Sequence, residues 1–237
     1  MTLASPLRSV TVAAATVAVL AAAVHVNSLP NDFAYDDVHI ILENPGIQSL
    51  ETLPGALTEP YWPGVYGREL GLWRPATTLL LGLQYAVAGR DPGLYHAVNV
   101  LGHAATSALV VVLLSLLLSV PAAWAGGLVF AVHPVHVEAV ANVIGVAEIL
   151  STFFYLLACI LLLRGPERPS WRRVAAIGLC YALAFGAKES AVTLPGVVLL
   201  LDSARRRLRP KDLGPYLRDR WPVYAVLAGV ATTLLAL

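Results

Sequence analysis

The chain has 237 residues, 57% of them hydrophobic and 13% charged, with a mean hydropathy of +0.70. A soluble domain carries about 25% charged residues, so this composition excludes an ordinary water-soluble fold and points to an all-α polytopic membrane protein. The formal net charge of +1 gives no global basic or acidic balance, so nucleic acid is not an expected partner and charge is informative only through its position.

The first apolar run, residues 9–26, follows Arg8 and has small residues at 21–23 that a leader peptidase could cut. Its length nearly reaches the roughly 20 residues needed to span a bilayer, so it is read as a retained first helix rather than a cleaved leader. A polar stretch, 27–94, comes next and opens with FAYDDVHIILENP at 33–45, where Asp36 and Asp37 stand side by side. Within it, LWRPATTLLLGLQYAVAG at 72–89 predicts a helix beginning near Pro75 and lying along the membrane interface between Arg74 and Arg90. A second span follows from about Tyr95 to Leu118.

The next two apolar stretches are interrupted. HPVHVEAVANVIGVAE breaks 122–163, and KES breaks 174–201. Positive charge decides how to read them. Residues 164–173 hold Arg164, Arg168, Arg172 and Arg173 against Glu167, and residues 202–220 hold seven bases against three acids. Both segments are cytoplasmic by the positive-inside rule. An even number of crossings must then separate them, so 174–201 is a hairpin tipped by Lys188 and Glu189. With the short SVP turn near Pro121 on the inside, the same parity puts His133, His136 and Glu138 on the outer face. Loop 27–94, with eight acids against Arg68, Arg74 and Arg90, becomes a large extracytoplasmic loop. The whole is one membrane domain over 1–237 with about seven membrane segments, some of them short.

The hairpin arms, 174–186 and 191–201, rise only about 20 Å and 16 Å, less than the roughly 30 Å hydrocarbon core. Lys188 and Glu189 should therefore lie in a recess open to the outside, since a lipid-facing charge costs a few kcal/mol. The final run, 221–237, has the length of one more span, and the polypeptide is expected to continue beyond it. No tandem repeat is visible. Cys159 and Cys180 sit inside apolar runs as small hydrophobes, with no disulfide framework.

Each polar interruption has a chemical and a bland reading. Adjacent aspartates diverge by about 100° in a helix or 180° in a strand. Asp36 and Asp37 therefore suit one working base with an orienting neighbour, or else a solvated turn or helix cap. Tyr95, His96, Asn99 and His103 share a helical face that either lines a cavity or bonds to a neighbouring helix. His133, His136 and Glu138 lack the spacing of a metalloprotease helix, and a break at Pro134 explains them without a metal. A divalent metal is thus possible but unsupported. Lys188 and Arg74 are candidate receptors for an anion, phosphate above all, because a buried cation needs one.

Taken together, FAYDDVHIILENP, LWRPATTLLLGLQYAVAG, LYHAVNVLGHAATSALV, FAVHPVHVEAVANVIGVAEILSTFFYLLA and AFGAKESAVTLPGVVLLLD resemble the transmembrane and tetratricopeptide-repeat O-mannosyltransferase family over about residues 30–202. The resemblance implies a GT-C type membrane glycosyltransferase. Its donor would be a polyprenyl-phosphate-linked sugar, its acceptor a hydroxyl of an exported protein, and its active face extracytoplasmic. Fourteen Arg against two Lys is compatible with a GC-rich bacterial gene, hence a bacterial relative in the inner membrane. On this reading Asp36 is the base and Asp37 its neighbour, Lys188 and Arg74 contact the donor phosphate, and His39, His96, Asn99, His103, His133, His136, Glu138 and Glu189 line the pocket. The family's further membrane helices and its tetratricopeptide repeats are absent from these residues. The competing readings are a transporter with broken helices and a noncatalytic membrane subunit.

Overall fold

The structure is a computed structural model describing residues 4–235, and every element assigned among them is helical. The helices are α1 (Ala4–His25), α2 (Gly64–Leu70), α3 (Pro75–Ala88), α4 (Pro92–Ser115), α5 (Val120–Val132), α6 (His136–Ala141), α7 (Val146–Leu163), α8 (Trp171–Ala187), α9 (Leu194–Arg206) and α10 (Leu213–Leu235). Among the described residues, three stretches are long and apolar enough to cross a membrane: Arg8–Ser28, Pro92–Ser115 and Val143–Leu163. The protein is an integral membrane protein. The hairpin helices α8 and α9, at 17 and 13 residues, fall below that length, as their sequence spacing predicts.

Two packed halves share α4. The alanine-rich face of α1 (Ala13, Ala14, Val17, Ala21) packs on α4 and α5, where Ala104, Val111 and Ala131 complete a small-residue core. The larger core joins α7 to α10 through Ile160, Leu163, Ile177, Tyr181, Leu194, Val198 and Leu227. A third cluster holds loop 26–74 onto the bundle end. Ile40, Ile41, Ile47 and Tyr61 from the loop meet Leu81, Tyr95, Val143 and Val146 from the helices. Residues Val38–Leu42 form one helical turn, which buries the adjacent Ile40 and Ile41 against the bundle and leaves His39 and Glu43 exposed on the outer side, four residues apart and paired at 2.7 Å.

Helix direction alternates so that the polar interruptions gather at one end. There Asn99 Nδ2 donates to the Asn142 and Val143 carbonyls at 2.8 and 3.1 Å, and Thr77 Oγ1 donates to the Ala187 carbonyl at 2.9 Å. The arginine-rich loops gather at the other end, where Arg206 reaches Glu167 and Arg168 reaches Asp219. Helix α3 begins at Pro75 and packs on α8 and the Leu53–Leu57 turn. It therefore has a protein-covered face, with Thr77 and Leu81 fully buried.

The basic end is closed by a buried ionic cluster. Asp202, fully buried on α9, accepts from Arg206 Nε at 3.0 Å and from the Tyr216 hydroxyl at 2.9 Å, and it faces Arg220 Nη1 at 3.3 Å. Arg220 is 1% exposed. Removing one member of such a cluster strands the other charge, so Asp202→Asn should destabilise the protein by about 3–5 kcal/mol. Thermal unfolding in detergent checks this, and an unchanged midpoint would contradict it.

Candidate active site

The FAYDD stretch crosses the polar end of the bundle. Phe33 packs edge-on against Tyr95 at 5.3 Å between ring centroids, fixing where the turn begins. Tyr35 then adopts φ +51°, a left-handed conformation that costs a bulky residue energy and persists only where surroundings enforce it. The turn separates the two acids. Asp36 is exposed, whereas Asp37 is 1% exposed. Asp37 Oδ2 accepts from the Ala34 N–H at 3.1 Å and Oδ1 from the Ile144 N–H at 2.9 Å. One carboxylate therefore ties the loop both to itself and to the turn before α7. Burial pushes the Asp37 carboxyl above the usual aspartate range, against the backbone N–H groups that favour its charge. Gly145 permits this turn, since a Cβ there would meet the Ala139 Cα at 2.7 Å.

Tyr61 links the acids to the cations. Its ring is buried beneath the Arg74 guanidinium, 5.1 Å from the centroid, and its hydroxyl has no hydrogen-bond partner among the described residues. Burial raises the Tyr61 pKa, and the charges of Arg74, Glu148, Asp37 and Asp36 all act on it. Arg74, at the N-cap of α3, forms a two-point bond with Glu189, Nε to Oε2 at 3.0 Å and Nη2 to Oε1 at 2.9 Å. Burial works against the charge of Glu189, yet the Arg74 bonds prevail and hold its carboxyl below the usual range. Lys188 pairs with Glu148 on the first turn of α7. The side chain of Arg74 is 14% exposed and that of Lys188 26%. Both cations therefore sit in a recess with a carboxylate already in place.

The histidines divide between structure and cavity. His96 is fully buried near the Asn31 and Asp32 carbonyls, but neither ring nitrogen closes a hydrogen bond. His103 Nε2 lies 3.1 Å from the Ala131 carbonyl. Its ring touches His25 and His136, with centroids 4.9 and 5.0 Å away. A cavity of about 80 Å³ lies beside this cluster, lined by His103, Thr106, Phe130, His136, Glu148 and Thr152. Glu148 thus borders both the cavity and the Lys188 pair. His133 and Glu138 are exposed and do not line it. Helix α5 ends at Val132 and α6 begins at His136, so the break falls around Pro134 as the sequence predicts. Among the described residues no three of His, Cys, Asp and Glu converge as a metal site would require. His39 instead lines a separate hollow of about 820 Å³ on the loop, with Glu43, Asn44, Glu59, Trp62 and Arg68.

Comparison with known proteins decides the family. Residues 75–234 match the model of the dolichyl-phosphate-mannose-protein mannosyltransferases. The chain belongs to this mannosyltransferase family. The human protein O-mannosyl-transferase TMTC3 is 34% identical over 176 residues, 72% of this chain and 19% of its own length. Tmtc1 of Drosophila melanogaster is 36% identical over 177 residues, covering 73% and 21%. Human TMTC2 is 31% identical over 211 residues, covering 85% and 25%. The chain thus spans about a fifth to a quarter of these mannosyltransferases. No solved structure matches.

Three residues at this candidate site escaped the sequence reading: Tyr61, Glu148 and His25. An acid opening an otherwise apolar helix is a signal that could have found Glu148. Nothing local marks Tyr61.

Proposed function

We propose that the protein is a membrane glycosyltransferase that moves mannose from a polyprenyl-phosphate donor to a hydroxyl of an exported protein. Family membership supports the reaction class, and one observation carries the site: exposed Asp36 held beside buried, backbone-anchored Asp37. The acceptor hydroxyl attacks the anomeric carbon as its proton passes to Asp36. The bond from that carbon to the phosphate oxygen breaks, and the polyprenyl phosphate departs with the electron pair. A phosphate monoester has a second pKa of about 6, so it leaves as an anion and needs cations rather than a general acid. Arg74 and Lys188 supply them, exchanging Glu189 and Glu148 for the phosphate. One base and no enzyme nucleophile make the displacement inverting. Tyr61 offers a free hydroxyl between acids and cations, and the 820 Å³ hollow starting three residues beyond Asp36 gives room to an acceptor segment.

The active end faces outward, because the opposite end carries the arginine-rich loops. Gathering of polar groups at one end also favours a transferase over a transporter, whose site lies near the midplane. The test uses full-length protein reconstituted in vesicles with polyprenyl-phosphate mannose, labelled in the sugar, and a Ser/Thr-containing acceptor polypeptide. Label should appear on the polypeptide. Its absence from protein that has inserted and folded would overturn the assignment.

A further inference from the structure

The end of the bundle opposite the active site has a binding feature of its own. Across 164–173 and 202–220, eleven bases face four acids. Each acid is engaged within the protein. Asp202 holds Arg206 and Arg220, Glu167 holds Arg206, and Asp219 holds Arg168. Asp212 caps the Arg209 N–H at 3.0 Å. The positive excess is thus left without carboxylate partners among the described residues.

Part of that excess borders a cavity. A groove of about 370 Å³ lies between the α7–α8 loop and the start of α10, lined by Arg168, Pro169, Arg218, Asp219, Trp221 and Pro222. Arg168 places Nε and Nη2 on the same Asp219 oxygen, at 3.2 and 3.1 Å. Its side chain remains 81% exposed, which leaves Nη1 free. Arg218 is exposed and forms no ion pair among the described residues. Trp221 is 64% exposed in the same wall, and Trp171 at the head of α8 is 75% exposed with Arg172 5.6 Å from its ring. Exposed tryptophans at the ends of membrane helices mark the headgroup level of the bilayer. Two arginines and an indole at that depth match a phosphodiester with its glycerol backbone, and arginine suits phosphate by its planar array of donors.

We propose that this groove is a binding site for an acidic phospholipid, with Arg168 and Arg218 on the headgroup phosphate and Trp221 against the glycerol and upper acyl chain. The bilayer itself supplies the occupant. Asp219 opposes it, since it occupies the face of Arg168 that a phosphate would use.

The test is retention of lipid by the full-length protein after reconstitution into phosphatidylcholine vesicles doped with phosphatidylglycerol, read by native mass spectrometry. Wild-type protein should retain phosphatidylglycerol in preference to phosphatidylcholine. Arg168→Gln with Arg218→Gln should lower that preference roughly tenfold or more, while the charge-preserving pair Arg168→Lys with Arg218→Lys should keep most of it. Asp219→Asn should raise retention, giving a readout that does not depend on the glutamine variants folding. Excess inorganic phosphate should leave the lipid in place. Equal retention of both lipids by the wild type, unchanged preference in the glutamine pair, or full displacement by inorganic phosphate would each overturn the proposal.

Discussion

Full-length protein carrying Asp36→Asn is expected to insert and fold as the wild type does while losing transfer by roughly 10²–10⁴-fold, the contribution typical of a positioned general base. Asp36 is exposed, so the amide, of nearly equal size, costs the fold little. Asp37→Asn provides the contrast. Its carboxylate receives N–H donors from Ala34 and Ile144 on different oxygens, and an amide can accept through only one. That variant should lose about 1–3 kcal/mol of stability together with activity, because the loop loses an anchor. Transfer kinetics and thermal unfolding of the pair separate the roles: chemistry without stability at Asp36, both at Asp37. Wild-type transfer by Asp36→Asn would remove it as the base.

Arg74→Gln should lower kcat by about 10²–10³-fold, the loss usual when one donor to a developing oxyanion is removed. Arg74 is held in place before substrate arrives, by the Tyr61 ring beneath it and the two-point bond to Glu189. The side chain of Glu189 is 52% exposed, so losing its partner leaves it solvated rather than stranded, and the fold should survive. Glu189→Gln should act in the opposite sense on binding, since it removes the charge competing with phosphate, and should lower the KM for donor. A pair of variants that moved KM alike would contradict an exchange of carboxylate for phosphate.

Much of this arrangement was legible in order along the chain, because its causes are local or act through charge. Apolar runs of span length mark α1, α4 and α7, and Pro75 and Pro134 mark a helix start and a helix break. Arginine placement orders the two ends, and the contacts of Arg206 with Glu167 and of Arg74 with Glu189 join segments that the charge parity had put together. Pairings across the fold were not legible. Lys188 and Glu189 are neighbours in sequence, yet each binds a distant partner, Glu148 and Arg74. Backbone geometry explains why: Lys188 is extended at the C-cap of α8, and Glu189 opens the following turn, so the two side chains point apart. The helical face of His96, Asn99 and His103 has more than one kind of neighbour. Asn99 ties α4 to the 142–143 turn, while His103 meets a carbonyl and also borders a cavity. Glu138 lies exposed because α6 is a short helix that buries one side only, and His133 lies exposed at the C-cap of α5, before the break at Pro134.

The reaction itself has a stereochemical signature. The glycosidic linkage formed on a Ser/Thr peptide by the reconstituted protein, from polyprenyl-phosphate mannose of known anomeric configuration, can be read by nuclear magnetic resonance. A single carboxylate base acting on an in-line displacement gives product of the opposite configuration. Product that retains the donor's configuration would require an enzyme nucleophile and would contradict the role of Asp36.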